Sequence, residues 1–336
     1  MSNNFIPELI RDSEDGAERL SELKELGATI TDLTESQINE LKKIRLGAEV
    51  TNELRVCYVF YPWLNAAYKI LEEKGFIEVR TGRNRYKITL EEQELLATKK
   101  IGIVGLSVGR TIATTLAAER SCGELRVADF DILELSNLNR IKAPLHHIGM
   151  LKAVSLAREI KEFDPYFNIH CFDDGITPDN IDSFFLDGGK LDILVDECDS
   201  LEVKIKLRKK ARELGIPVIM DTSDRGLVDI ERFDLEPNRP FFHGKIGDFN
   251  PPSDWKITDQ ERQELFLKII DLEKVSERGK YSLFEIGKTI STWPQLSSDV
   301  VTGGGVSAQI CRKILLGNNA PSGRYYFDVD SWLNDG

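Results

Sequence analysis

The chain has 336 residues, 41% hydrophobic and 30% charged, enough for one large α/β domain with an appendage or for two modest domains. Its formal charge of −12 argues against non-specific binding to nucleic acid or to an anionic membrane, so neither is an expected partner. The five cysteines never form C-x-x-C, and neither an eighteen-residue apolar run nor a signal-peptide core is present, so a cytoplasmic protein without disulfides or thiolate zinc is expected.

Residues 1–98 read as a mainly helical accessory region, for recognition or dimerisation. In "TDLTESQINELKKIR", Thr34 stands as a cap with Gln37 three residues on, and Ile38, Leu41 and Ile44 follow at helical spacing. "FYPWLNAAYKILEEKGFIEVRTG" predicts a helix stopped near Gly75 and then a short strand. A basic loop, "RTGRNRYK", and another helix come next.

From Lys99 the pattern alternates between strand and helix. "KIGIVGL", "ELRVADFD", "FNIHCFDD", "LDILVDECD" and "IPVIMDTSD" read as strands, separated by helical stretches such as "RTIATTLAAERS" and "LEVKIKLRKKAREL". This predicts a Rossmann-like, doubly wound α/β domain over residues 99–336, with a mostly parallel sheet. Ligands bind such sheets where the strands end. Beyond Gly226 an irregular extension is expected, with a long loop at 238–256, helices near 259–274, 294–301 and 304–316, and a closing strand in "RYYFDVDSWL".

The strand ends carry the chemistry. In "GIVGLSVGR" a strand turns into a helix. Counted against G-x-G-x-x-G, Gly105 is kept while Ser107 and Arg110 replace the later glycines, and Gly105, Ser107, Gly109 and Arg110 are the cofactor-binding candidates of this turn. Backbone N–H groups of such a turn can point at a phosphate, and Arg110 would add a charge. A tight turn without a ligand is the competing reading. Asp129 lies 24 residues after Gly105, close to the roughly 20-residue spacing of a ribose-binding carboxylate, and Asp131 follows it.

Arg140 and Lys152 come next. An NAD(P)-dependent oxidoreductase has no use for them, whereas a triphosphate does, because cations stabilise the charge on leaving pyrophosphate. Asp199, at another strand end, suits Mg²⁺, which takes one or two carboxylates plus phosphate oxygens. Taken singly, Lys152 reads as a solvated helix residue and Asp199 as a helix cap. Together they favour a nucleotide site.

"VADFDILELSNLNR", "GMLKA" and "LVDECDS" together resemble the nucleotide site of the ThiF/MoeB/ubiquitin-activating enzyme superfamily, over about residues 85–235. The resemblance implies ATP-dependent adenylation of a carboxylate: the C-terminus of a ubiquitin-like or sulfur-carrier protein, a peptide, or a small molecule. It implies Asp129 on the ribose, Asn137, Arg140 and Lys152 on the phosphates, and Asp199 on Mg²⁺. It also implies an arginine from before the first strand, Arg83 or Arg85, reaching the phosphates across a homodimer. The structural zinc of many relatives is not expected. Between Asp199 and Ile310 there is no cysteine, so no thioester nucleophile is expected there. Thr222, Ser223 and Arg225 in "DTSDRG" are candidates for holding the substrate. A separate redox partner is a further possibility raised by the resemblance. The competing function is a non-catalytic nucleotide-binding subunit of the same fold.

Overall fold

The computed structural model describes residues 4–46, 54–247 and 257–334. The chain divides into two units, residues 1–94 with 157–168 and residues 95–156 with 169–336.

The first unit is built on a four-stranded sheet, not mainly on helices as the sequence suggested. Its elements are β1 (Glu8–Arg11), α1 (Glu14–Glu25), β2 (Thr29–Asp32), α2 (Thr34–Ile44), β3 (Val56–Tyr61), β4 (Ala66–Leu71) and α3 (Glu73–Thr81). The strand order is β1-β3-β4-β2. β3 is antiparallel to both β1 and β4, and β2 runs parallel to β4. The stretch expected as helix and then strand is therefore a hairpin followed by a helix that runs through Gly75.

The cause lies in β3. Cys57, Val59 and Tyr61 join Ile70 in one cluster, while Phe60 on the opposite face joins Ile10, Leu23, Ala28 and Ala67 in another. Successive strand residues face opposite ways. With both faces apolar, the period-2 signal is lost and an apolar run remains. Thr34 is also corrected: it is the first residue of α2, and its amide and hydroxyl both donate to Asp32 Oδ1.

α4 (Leu90–Leu96) leads out of the first unit, and the second then takes in β5 (Lys100–Val104), α5 (Gly109–Glu119), β6 (Glu124–Ala128), the start of α6 (Lys152–Phe163), whose residues from Ala157 count with the first unit, β7 (Asn168–Phe172), α7 (Ile181–Leu186), β8 (Ile193–Asp196), α8 (Leu201–Leu214), β9 (Val218–Asp221) and β10 (Leu227–Glu231). With β11 (Gly323–Tyr326) at one edge, the seven-stranded sheet has the order β11-β10-β9-β8-β5-β6-β7. β9, β8, β5 and β6 are mutually parallel, and β10 is antiparallel to β9. β5 lies between β6 and β8, so the chain leaves it in one direction and later returns on its other side. That reversal opens a crevice at the carboxyl end of β5.

The extension contributes α9 (Asp259–Ile270), α10 (Glu277–Glu285), α11 (Ser297–Leu315), β11 (Gly323–Tyr326) and α12 (Val329–Asn334). Three expectations are corrected here. The helices foreseen at 294–301 and 304–316 are one helix, the closing strand is four residues followed by a helix, and α10 was not foreseen. α11 runs unbroken through Gly303, Gly304 and Gly305. A Cβ at Gly303 would overlap Asp221 Oδ2, and one at Gly304 would come within 2.6 Å of Thr111 on α5. Gly303 and Gly304 let the helix approach closely, against a cost of about 1 kcal/mol each relative to Ala. Of the loop expected at 238–256, residues 248–256 lie outside the described part. No helix among the described residues is long and apolar enough to cross a membrane.

Candidate nucleotide site

The crevice is floored by the turn between β5 and α5. Gly105 has φ +90, and its N–H donates to Ala128 O at 2.9 Å. A Cβ there would overlap the Glu197 carbonyl where the chain leaves β8, so position 105 demands glycine on two counts. Gly109 opens α5, and a Cβ there would lie 2.7 Å from Ile103 Cγ2.

Asp129 joins this turn to the end of β6. Its Oδ2 accepts from Leu106 N at 2.6 Å and its Oδ1 from Asp131 N at 2.8 Å. Burial raises its pKa, against the pull of the two N–H donors and of the Lys152 charge. Each carboxylate oxygen has a second lone pair beyond the bond described, so Asp129 can shape the turn and still accept from a hydroxyl.

The cations gather around the same frame. Arg140 Nε donates to Ser107 Oγ at 3.1 Å, and its Nη1 donates to Asn139 Oδ1 at 2.9 Å. Burial lowers its pKa, opposed by the charge of Asp199, which faces it. Asp199 itself is exposed. Lys152, at the start of α6, is 7% exposed, and its Nζ donates to Asp131 Oδ2 at 2.8 Å. Its N–H donates to Asp131 O at 2.9 Å. Asn137 is tied to the backbone through its side-chain oxygen. Its Oδ1 accepts from Glu134 N at 3.0 Å, closing a capping box on the turn Leu135–Asn139.

Thus the structure brings Gly105, Ser107, Asp129, Asp131, Arg140, Lys152 and Asp199 into one connected set. Other sequence candidates are employed elsewhere. Arg110 is 3% exposed and turns inward, its Nη1 donating to Ser155 Oγ at 3.2 Å. Arg225 pairs with Asp328 at 2.7 Å and donates to Lys274 O at 3.0 Å, which ties it to the extension. Ser223 is buried, whereas Thr222 and Arg225 are partly open. Arg83 and Arg85 belong to the first unit, on the exposed turn after α3.

Glu197 and Asp221 were passed over in the sequence, although both stand at strand ends. Glu197 Oε1 accepts from Asp221 N at 2.8 Å, beneath the glycine turn. Burial pushes its carboxyl well up, and the charge of Asp221 adds to this. No group of three or more His, Cys, Asp or Glu residues fit to hold a metal occurs among the described residues. A lone exposed Asp199 beside Arg140 fits a Mg²⁺ that shares its ligands with a triphosphate better than one held by the protein alone.

All five thiols sit where burial disfavours the thiolate. Cys57, Cys122, Cys171 and Cys311 are buried and Cys198 is partly buried. Cys198 Sγ donates to Asp196 Oδ1 at 3.0 Å, and burial together with the Asp196 charge pushes this thiol well up. A nucleophilic cysteine needs the opposite environment.

Residues 81–255 match the model of the ThiF family. The chain is 45% identical over 277 residues to the uncharacterized protein MT1398 of Mycobacterium tuberculosis, covering 82% of this chain and 38% of that protein. It is 27% identical over 158 residues to the molybdopterin-synthase adenylyltransferase of Haemophilus influenzae, covering 46% of this chain and 63% of that enzyme. The chain thus spans less than two thirds of the length of either relative. The fold is similar to that of the Escherichia coli tRNA N6-threonylcarbamoyladenosine dehydratase TcdA in complex with AMP, with TM-score 0.50 and 20% identity over 71% of this chain and 95% of that one.

Proposed function

Because the chain belongs to the ThiF family of ATP-dependent adenylating enzymes, we propose that it activates a carboxylate as an acyl-adenylate, releasing pyrophosphate and using no cysteine thioester. The observation that carries this reading is the continuous chain of bonds from Leu106 N through Asp129 to Asp131 and Lys152, with Arg140 held on Ser107 of the same turn. This supports reading Asp129 as the ribose acceptor and Arg140 and Lys152 as the phosphate cations, gathered around one glycine turn.

In this reading Asp129 accepts from the ribose hydroxyls and the turn's N–H groups face the phosphates. A carboxylate oxygen of the substrate attacks the α-phosphorus, the bond to the bridging oxygen breaks, and pyrophosphate departs. Arg140 and Lys152 donate to the oxygens on which charge builds. Mg²⁺, held by Asp199 and phosphate oxygens, would neutralise the same charge. The substrate class is a carboxylate: the C-terminus of a ubiquitin-like or sulfur-carrier protein, a peptide, or a small acid.

The nucleotide half of this reading is tested by calorimetry with ATP, AMP and NAD, with and without Mg²⁺. ATP is expected to bind, and Asp129→Ala to weaken it by about 1–3 kcal/mol, the scale of lost hydrogen bonds to a charged acceptor. Tighter binding of NAD than of ATP would overturn the reading. The thiol half is tested by replacing all five cysteines with Ser or Ala. Stability is expected to fall, since four of the five are buried, yet carboxylate-dependent exchange of pyrophosphate into ATP should persist. A thioester trapped on any of the five in the unmodified enzyme would contradict it.

A further inference from the structure

Arg110 sits where a phosphate ligand was expected, yet its guanidinium faces inward. Its Nη1 donates to Ser155 Oγ at 3.2 Å, and the same oxygen lies 2.9 Å from His147 Nδ1. All three residues are buried: Arg110 is 3% exposed, His147 3% and Ser155 0%. A buried guanidinium is expensive to desolvate unless its partners compensate.

What the three residues connect is specific. Arg110 is in the first turn of α5, directly after Gly109. His147 ends the short turn Leu145–His147, which precedes α6. Ser155 is three residues after Lys152 on α6, so the two are neighbours on that helix. The hydroxyl accepts from Arg110 and can donate to His147, which uses both of its capacities. Meanwhile Lys152 is held from another side, through its N–H and its ammonium, by Asp131. The first turn of α6 therefore has two ties. One runs to Asp131 beyond β6, and the other runs through Ser155 to the glycine turn.

Resting on the adenylation reading above, we infer that Arg110, Ser155 and His147 are positioning residues that fix the Lys152 ammonium relative to the glycine turn. They touch neither phosphate nor substrate. Ser155 is the keystone, because losing one hydroxyl leaves both Arg110 and His147 without that bond, whereas Asp131 stays in place. Cations act on a transition state only from a preset position, and small displacements are costly.

The test uses the full chain and two independent readouts. The first needs no catalysis: competitive acetylation of lysines in the nucleotide-free protein, with the Lys152 peptide quantified by mass spectrometry. The second is pyrophosphate exchange, resolved into kcat and KM for ATP. Ser155→Ala is expected to raise Lys152 acetylation several-fold and to lower kcat about 10-fold with KM for ATP little changed, a transition-state effect. Ser155→Thr, which keeps the hydroxyl, should restore both. If Ser155→Ala does not fold, Arg110→Gln is read by the same two measures. A folded variant whose Lys152 reacts at the unmodified rate overturns the inference, as does a Thr variant no better than Ala. If the unmodified protein shows no exchange with any carboxylate, the adenylation reading fails, while the acetylation comparison still decides the tie.

Discussion

Lys152→Ala and Arg140→Ala are each expected to slow carboxylate-dependent pyrophosphate exchange by about 100-fold or more, the scale seen when one preorganised donor is removed from a developing charge. The geometry explains why the loss should be large and why it should fall on kcat. Lys152 is nearly buried and Arg140 half-buried, so water cannot readily take over their role. Both are already held, Lys152 by Asp131 and Arg140 by Ser107, so little reorganisation is needed at the moment of reaction. The fold should tolerate each change. Asp131 is 52% exposed, so removing Lys152 leaves its carboxylate in water rather than stranded in the core. Isotope exchange between pyrophosphate and ATP, measured against a panel of small and peptide carboxylates, reads the effect directly. Rates unaffected by either substitution would count decisively against the assignment.

What the sequence disclosed of this site follows from what kind of information each feature needs. β5 is a short, mostly apolar strand ending in a glycine turn and β6 a short strand leading into Asp129, and both the turn and the spacing are local facts. Arg140 and Lys152 were legible because a pair of cations shortly after a ribose acid has a chemical rationale. Arg110 misled because its destination is set by Ser155, 45 residues away, which no local pattern reports. Asn137 likewise turned to its own backbone neighbour, since asparagine competes well for nearby N–H groups. The N-terminal sheet was hidden by having apolar residues on both faces, and α11 by three glycines that read as a break. In α11 the tertiary contacts with Asp221 and Thr111 override the helix propensity of the segment.

Asp221 gives the second large expectation. It is 5% exposed at the end of β9, and its Oδ1 accepts from Ser223 N at 3.0 Å. Its Oδ2 is buried against Gly303, without a hydrogen-bond partner among the described residues. Burial pushes its carboxyl up to about 7, helped by the charge of Asp299 on α11. In the unfolded chain the same group titrates at about 3.9. Between these two values the folded form holds the proton and the unfolded form has released it. Stability therefore falls as pH rises from about 4 to 7, and above 7 the whole cost of burying the charge is present. Three pH units at about 1.4 kcal/mol each set that cost on the order of 4 kcal/mol. Asp221→Asn removes the charge, keeps an oxygen for Ser223 N, and relieves the repulsion on Glu197. It is expected to stabilise the protein by roughly 2–4 kcal/mol at pH 8 and by less than about 1 kcal/mol at pH 4.5. Urea unfolding followed by tryptophan fluorescence at the two pH values measures the difference. A gain of equal size at both, or a loss at both, would show that Asp221 is not the buried acid whose ionisation weakens the fold.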